Sequence, residues 1–169
     1  MNLSLDQAWK VLEAVPDPEI PVITITDLGI VRELIQDGDS FRVVVTPTYS
    51  GCPATEFIEK SIKTALIDAG AGSVTLDIQL SPAWTTDWLR PEAREKLKKY
   101  GIAPPSCTTQ ISTRKEQIVR FIPRQKDLIE CPRCNSKNNE RLSEFGATAC
   151  KALYRCLDCR EPFEYFKPI

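Results

Sequence analysis

Cys131-Pro132-Arg133-Cys134 and Cys156-Leu157-Asp158-Cys159 form two C-x2-C knuckles separated by 21 residues, and no other feature constrains the chain as tightly. Each knuckle lets two sulfurs converge on one ion at about 2.3 Å, and this spacing is close to that of a zinc ribbon. The intervening 142–145 and 152–155 segments can form the hairpin that brings the knuckles together. The 42 residues from 128 to 169 are too few for an independent hydrophobic core, so a bound metal would supply the missing stabilisation. A closed four-sulfur site leaves no open position for water or substrate, which gives Cys131, Cys134, Cys156 and Cys159 a structural task. Zinc or iron can occupy such a cage, and the closed geometry without histidine favours zinc.

The chain has seven cysteines and no histidine among its 169 residues. Imidazole is the usual general base near neutral pH, so Ser-His-Asp and Cys-His catalysis are excluded within this chain. His-ligated zinc, di-iron and haem sites are excluded with them. A 42% apolar and 27% charged composition is that of a globular protein, and a net charge of −1 exerts no long-range pull on nucleic acid or an anionic membrane. Residues 1–15 carry Asp6, Lys10 and Glu13 within their apolar pattern, unlike a signal or transit peptide, and no run approaches a bilayer span. Odd, clustered cysteines fit a reduced, cytoplasmic chain better than a disulfide framework.

Residues 1–105 read as a mixed α/β unit. Ser4 and Gln7 have the spacing of a capping box, and Leu5, Ala8, Trp9, Leu12 and Val15 predict a helix to about Val15, stopped by Pro16-Asp17-Pro18. An extended stretch is expected over 22–26. Asp37-Gly38-Asp39-Ser40 then joins two strands of a hairpin, over 30–35 and 41–45. Ile58, Ile62, Ala65, Leu66 and Ala69 mark a helix over about 54–69, residues 73–80 alternate as a third strand, and Pro91 opens a last helix ending at Gly101. Residues 1–105 hold 10 Lys and Arg against 15 Asp and Glu, a net of −5, whereas 106–127 hold 5 against 2. The second segment reads as a linker with one short strand at 118–122. The expected architecture is α+β: a small α/β sandwich over 1–105, with a mixed sheet packed by helices, then a linker over 106–127 and a zinc ribbon over 128–169.

Cys52 is the one cysteine placed for chemistry. It precedes Pro53 at the start of the predicted helix, where unpaired amides and the positive end of the helix dipole favour thiolate. Hydroxyls of Thr46, Thr48, Ser50 and Thr55 could donate to it, and Asp17, Glu19 and Asp27 lie in loops of the same unit. Such an activated thiolate can hold a metal or cluster transiently, or attack a disulfide or persulfide. The plain alternatives are a cysteine filling a turn and carboxylates capping turns. Cys150, beside Lys151, reads as a small buried hydrophobe, an alternative ligand or an exposed thiol, and Cys107 as a spare thiol.

Asp17-Pro18-Glu19-Ile20-Pro21, Asp27-Leu28-Gly29-Ile30-Val31 and Thr46-x-Thr48 followed by Cys52-Pro53 resemble the small α/β domain of cytosolic iron–sulfur assembly factors and the SUF-linked T protein. The whole chain, including Ser81-Pro82-Ala83-Trp84-Thr85-Thr86-Asp87-Trp88 and the stretch from Ser143 to Cys156, resembles the phenylacetate-degradation D proteins (PaaD family). The resemblance implies an accessory protein of the multicomponent phenylacetyl-CoA epoxidase, a maturation or assembly factor and not an enzyme by itself. It carries Cys52 over as the functional thiol, with a transient iron or iron–sulfur cluster as its cargo, and the four knuckle cysteines as zinc ligands. Relatives place histidines around the linker cysteine, and Cys107 has none. The implied partners are epoxidase subunits, the iron–sulfur reductase or the di-iron oxygenase. A homodimer in which two copies of Cys52 share an ion stays open. The competing reading is a non-catalytic bridging subunit of the epoxidase, with Trp84, Trp88 and Leu89 as interface anchors.

Overall fold

A computed structural model of the chain describes residues 3–49, 54–105 and 129–168. The expected linker over 106–127, with its short strand, therefore lies outside the described residues, as do Ser50, Cys52 and Cys107. The chain divides into two compact units, Met1–Tyr100 and Gly101–Pro168, and the architecture is α+β, with three α-helices and two sheets among the described residues.

In the first unit, α1 (Leu5–Glu13) starts at a complete capping box. The Ser4 hydroxyl accepts the Gln7 N–H at 3.3 Å and the Gln7 side chain accepts the Ser4 N–H at 3.0 Å, so two N-terminal amides are satisfied reciprocally. The helix ends short of Val15, yet Val15 stays buried and donates its N–H to Leu12 O. Residues 16–30 form a compact irregular loop, not the extended stretch predicted at 22–26. A single antiparallel bridge, Pro16 to Thr24, is the only strand-like pairing described there. Its core side chains, Ile20, Ile23, Ile25 and Leu28, are all buried, so apolar density without period-2 exposure marked a buried loop.

β1 (Val31–Asp37) and β2 (Ser40–Val45) form the predicted hairpin, with Asp37 opposite Ser40 and Gly38 at φ +59° in the turn. A left-handed turn residue matches the twist of the flanking strands. α2 (Ala54–Asp68) buries Ala54, Ile58, Ile62 and Leu66, and crosses to β3 (Ser73–Ile78), which runs parallel to β2. The sheet order is β1-β2-β3. A 3-10 turn at Thr86–Trp88 leads into α3 (Pro91–Tyr100), which buries Ala93 and Leu97. Leu12, Ile23, Ile25, Val43, Ile62, Leu66 and Leu97 are fully enclosed and form the centre of this unit.

The second unit is a four-stranded sheet, β4 (Ile102–Ala103), β5 (Asn139–Ser143), β6 (Lys151–Cys156) and β7 (Pro162–Phe166), in the order β4-β7-β6-β5. β4 pairs parallel with β7. That pairing draws residues 101–105 into the second unit, whereas the sequence places them at the end of the first. The small core comprises Ala103, Ile129, Cys131, Cys156, Phe163 and Tyr165. Tyr154 stacks on Phe163 with ring centroids 5.9 Å apart and meets Tyr165 edge-on at 5.7 Å.

Candidate functional site

The two knuckles of the second unit share one backbone design. Cys131 N–H donates to Ser136 O at 2.9 Å, and Cys156 N–H donates to Glu161 O at 3.0 Å. Asn135, at φ 59°, and Arg160, at φ 64°, hold the same left-handed position, the fourth residue after the first cysteine of each knuckle. Each turn thereby curls its two sulfurs inward. All four sulfurs lie within 4.8 Å of one another, with Cys131 and Cys159 at 3.8 Å and Cys134 and Cys156 at 3.5 Å.

A tetrahedron of sulfurs at about 2.3 Å from a central ion has edges of about 3.8 Å, so the observed separations fit a zinc-sized ion. The electrostatics point the same way. The N–H groups of Cys159 and Asp158 favour the thiolate of Cys156 and bring it down to about 7. Cys159, although the N–H of Glu161 favours its thiolate, is pushed up to about 12 by desolvation and the neighbouring thiols. Four thiolates at this spacing repel one another, and only a cation lets all of them ionise together.

Hydrogen bonds beyond the sulfurs tie the knuckles to each other. Asp158, in the second knuckle, accepts from the Ser136 hydroxyl at 2.5 Å and from the Asn138 amide at 2.8 Å. Leu157 N–H donates to Asn138 O at 2.9 Å. Cys150 stands apart from the cage. It is buried, with its sulfur 3.0 Å from the Thr148 hydroxyl, which fits the small buried hydrophobe among the readings of the sequence. Neighbouring Lys151 is also buried and pairs with Glu164 at 2.9 Å.

In the first unit the other candidate residues lie in the loop over 16–30, at the end of β2 and at the start of α2. Asp17, 6% exposed, accepts the N–H groups of Glu19 at 2.9 Å and Ile20 at 2.8 Å. Asp27, 5% exposed, accepts the Thr24 N–H at 3.1 Å, while its own N–H donates to the Thr24 hydroxyl at 3.1 Å. Both carboxylates therefore act as turn caps. Thr46 and Thr48 are buried and Thr55 is half-buried at the start of α2. The Thr46 N–H donates to Ile30 O at 2.8 Å, which fastens the end of β2 to the loop bearing Asp27-Leu28-Gly29.

Lys96 was not legible in the sequence as a site residue. Its ammonium lies 2.6 Å from the Asp27 carboxylate, across 69 residues of chain. The segment 84–90 wraps the same loop: Trp84 Nε1 donates to Leu28 O at 2.9 Å and Arg90 N–H to Asp27 O at 3.0 Å. Arg32 lies 3.5 Å above the Trp88 ring. Trp84 and Leu89 are thus buried, at 3% and 5% exposure, and serve the fold of their own unit. Trp84 and Leu89 are therefore too enclosed to be the exposed anchors expected of them, whereas Trp88, the third of that set, is half-buried under Arg32.

Comparison with known proteins gives matches to both units. Residues 5–76 match the family described as iron-sulfur cluster assembly protein, and residues 115–167 match the PaaD zinc beta ribbon domain. The chain is 49% identical over 166 residues to a protein of Escherichia coli (strain K12) named as a putative subunit of 1,2-phenylacetyl-CoA epoxidase, its D component, covering 96% of this chain and 92% of that one. It is 33% identical over 90 residues to an Fe-S protein maturation auxiliary factor of Porphyromonas gingivalis, covering 52% of this chain and 85% of that protein. Among solved structures, a domain of unknown function (DUF59) from Bacillus anthracis superposes with a TM-score of 0.51 at 25% identity, covering 54% of this chain and 89% of that chain.

Proposed function

The chain belongs to the PaaD family, that of the D component of phenylacetyl-CoA epoxidase, and from that premise we propose that it is an accessory protein of aerobic phenylacetate degradation that assists iron–sulfur or iron-site assembly in another component of the epoxidase. The observation that carries this reading is the joining, in one chain, of a match to an iron–sulfur assembly family over 5–76 and a match to the PaaD ribbon over 115–167. The maturation factor of Porphyromonas gingivalis, similar over half of the chain, supports the same reading.

In this function Cys52 supplies the thiolate that takes hold of iron or a cluster on its way to the client, the reductase or the di-iron oxygenase. Asp17, Glu19, Asp27, Thr46, Thr48 and Thr55 support it: the turns capped by Asp17 and Asp27 and the bond from Thr46 to Ile30 fix the frame from which that loop departs. Cys131, Cys134, Cys156 and Cys159 hold a structural zinc, which closes the fold of the second unit and takes no part in transfer. The ribbon then docks the client. A reduced thiol set of this kind belongs in the cytoplasm, and among the described residues no helix is long and apolar enough to cross a membrane.

The test is co-expression of the epoxidase components with the wild-type chain or with Cys52→Ser. The expected result is a client depleted of iron and an epoxidase of low activity, with the zinc content of the variant unchanged. Full iron content and full activity would overturn the reading.

The bridging alternative draws support from the word "subunit" in the name of the Escherichia coli relative. Of the three anchors it invoked, Trp84 and Leu89 are buried and Trp88 is half-buried. Removing this protein from an assembled epoxidase separates the two: activity persists for a maturation factor and is lost for a bridge.

A further inference from the structure

Among the described residues β3 pairs only with β2, so one of its sides is an open sheet edge. The N–H of Gln79 donates to Val45 O at 2.8 Å. Hydrogen-bonding groups alternate sides along a strand, so Ser73, Thr75 and Asp77 face β2 while Val74, Leu76 and Ile78 turn their N–H and C=O groups outward.

The side chains of those three outward-bonding residues continue the apolar row of Phe41, Val43 and Val45, their register partners on β2. The β2 row is buried. By contrast, Val74 and Leu76 are only half-buried, Ile78 is 50% exposed, and Leu80 beyond the strand is 59% exposed. Edge strands of single-chain proteins are blunted with lysines, prolines or bulges. β3 has none of these, and its one charge, Asp77, is engaged by Arg42 of the same sheet at 3.5 Å.

The edge is also complementary to itself. Consider two antiparallel copies related by a twofold axis normal to the sheet and passing through Leu76. Leu76 then meets its own copy and Val74 meets Ile78, so every outward N–H and C=O of the strand finds a partner and apolar side chains meet on one face. On the other face Thr75 stands opposite Asp77. Shifting the axis to Asp77 would oppose two carboxylates, and shifting it to Thr75 would pair Ile78 with Gly72, outside the strand.

We propose that β3 is a homodimer interface, at which a second copy of this chain adds antiparallel with Leu76 on the twofold axis and doubles the three-stranded sheet. The C-terminal ends of the two β2 strands, from which the chain continues toward Cys52, then point in opposite directions. The proposal is independent of whether Cys52 handles iron.

Sedimentation equilibrium of the full zinc-loaded chain under reducing conditions tests the proposal, with dimer formation expected as twice the 19.0 kDa chain mass. Thr75 is exposed in the single chain, so charge can be placed there without disturbing the fold. Thr75→Asp sets like charges opposite each other at both symmetry-related positions and should weaken the dimer by about tenfold. Thr75→Lys faces Asp77 of the other copy and should tighten it by a similar factor. A chain that stays monomeric at every concentration overturns the proposal, leaving the edge to a strand of a client protein. A dimer indifferent to both substitutions overturns it as well.

Discussion

The Lys96 ammonium sits 2.6 Å from the Asp27 carboxylate, joining α3 to the loop that carries Asp27-Leu28-Gly29, with Asp27 only 8% exposed at its side chain and Lys96 45% exposed. Burial opposes the charge on Asp27, but hydrogen bonds from Lys96 and the Thr24 N–H outweigh it and hold the carboxyl below its ordinary value of 3.8. A depressed acid stabilises the fold in full above its unfolded pKa, and this contribution is lost as pH falls through the folded one. Lys96→Met should lower unfolding free energy at neutral pH by about 1–2 kcal/mol, discounted for the exposure of the lysine. The loss of stability on acidification below about pH 4 should shrink in the same variant. Trp9, Trp84 and Trp88, the only tryptophans, all belong to the first unit, so urea titrations followed by tryptophan fluorescence read this unit alone.

Gly29 makes the wrapping of the 84–90 segment sterically feasible. Its φ is +68°, and a Cβ there would stand 2.7 Å from Trp88 O and 2.9 Å from Trp88 Cβ. Relief would require moving backbone, not swinging a flexible side chain. Gly29→Ala should cost about 3 kcal/mol, combining left-handed strain with displacement of Trp88. The expected signature is a lower urea midpoint together with red-shifted tryptophan emission, as Trp84 and Trp88 lose their enclosure.

Features written in nearby residues were legible before the structure. The capping box of Ser4 and Gln7, the turn at Gly38, the apolar face of α2 and the two knuckles each depend on spacings of a few residues, where local geometry fixes the outcome. Interactions that depend on distant partners were not. Nothing in Lys96 distinguishes it from Lys98 or Lys99 until Asp27 lies beside it, and Ile102–Ala103 reads as the end of a helical unit until β7 supplies a pairing partner. Trp84 and Leu89 read as interface anchors because a sequence gives their apolar character but not the Leu28 carbonyl that receives the indole N–H. The carboxylates of Asp17 and Asp27 were legible as turn caps or as site groups, and the backbone N–H groups they accept belong to their own turns.

Metal removal should dismantle the second unit and spare the first. The core of the second unit is small, and two of its members, Cys131 and Cys156, belong to the sulfur cage. Apparent binding free energies of structural zinc in such small domains reach about 10 kcal/mol, comparable to a whole domain's stability. Treatment with a strong chelator should release one zinc per chain and unfold the ribbon. Amide exchange in β5, β6 and β7 should then approach unfolded rates while the tryptophan emission of the first unit is unchanged. Cys131→Ser should give the same pattern without a chelator. Protected ribbon amides in metal-free protein would show that the sheet stands on its apolar contacts alone.

Asp158 should govern how tightly the cage stays closed. Its backbone N–H favours the Cys156 thiolate, while its two side-chain oxygens receive Ser136 and Asn138 from the segment that follows the other knuckle, so it spans the seam along which the cage would have to open. Groups in this position orient the ligands, and their loss typically costs 10–100-fold in metal affinity. Asp158→Ala should therefore speed zinc release to a colorimetric chelator by about 10–100-fold, with zinc stoichiometry at saturation unchanged. Asp158→Asn keeps one acceptor oxygen and should fall between the two. An alanine variant that releases zinc at the wild-type rate would mean that the paired backbone turns at Asn135 and Arg160 hold the knuckles together without the side-chain bridge.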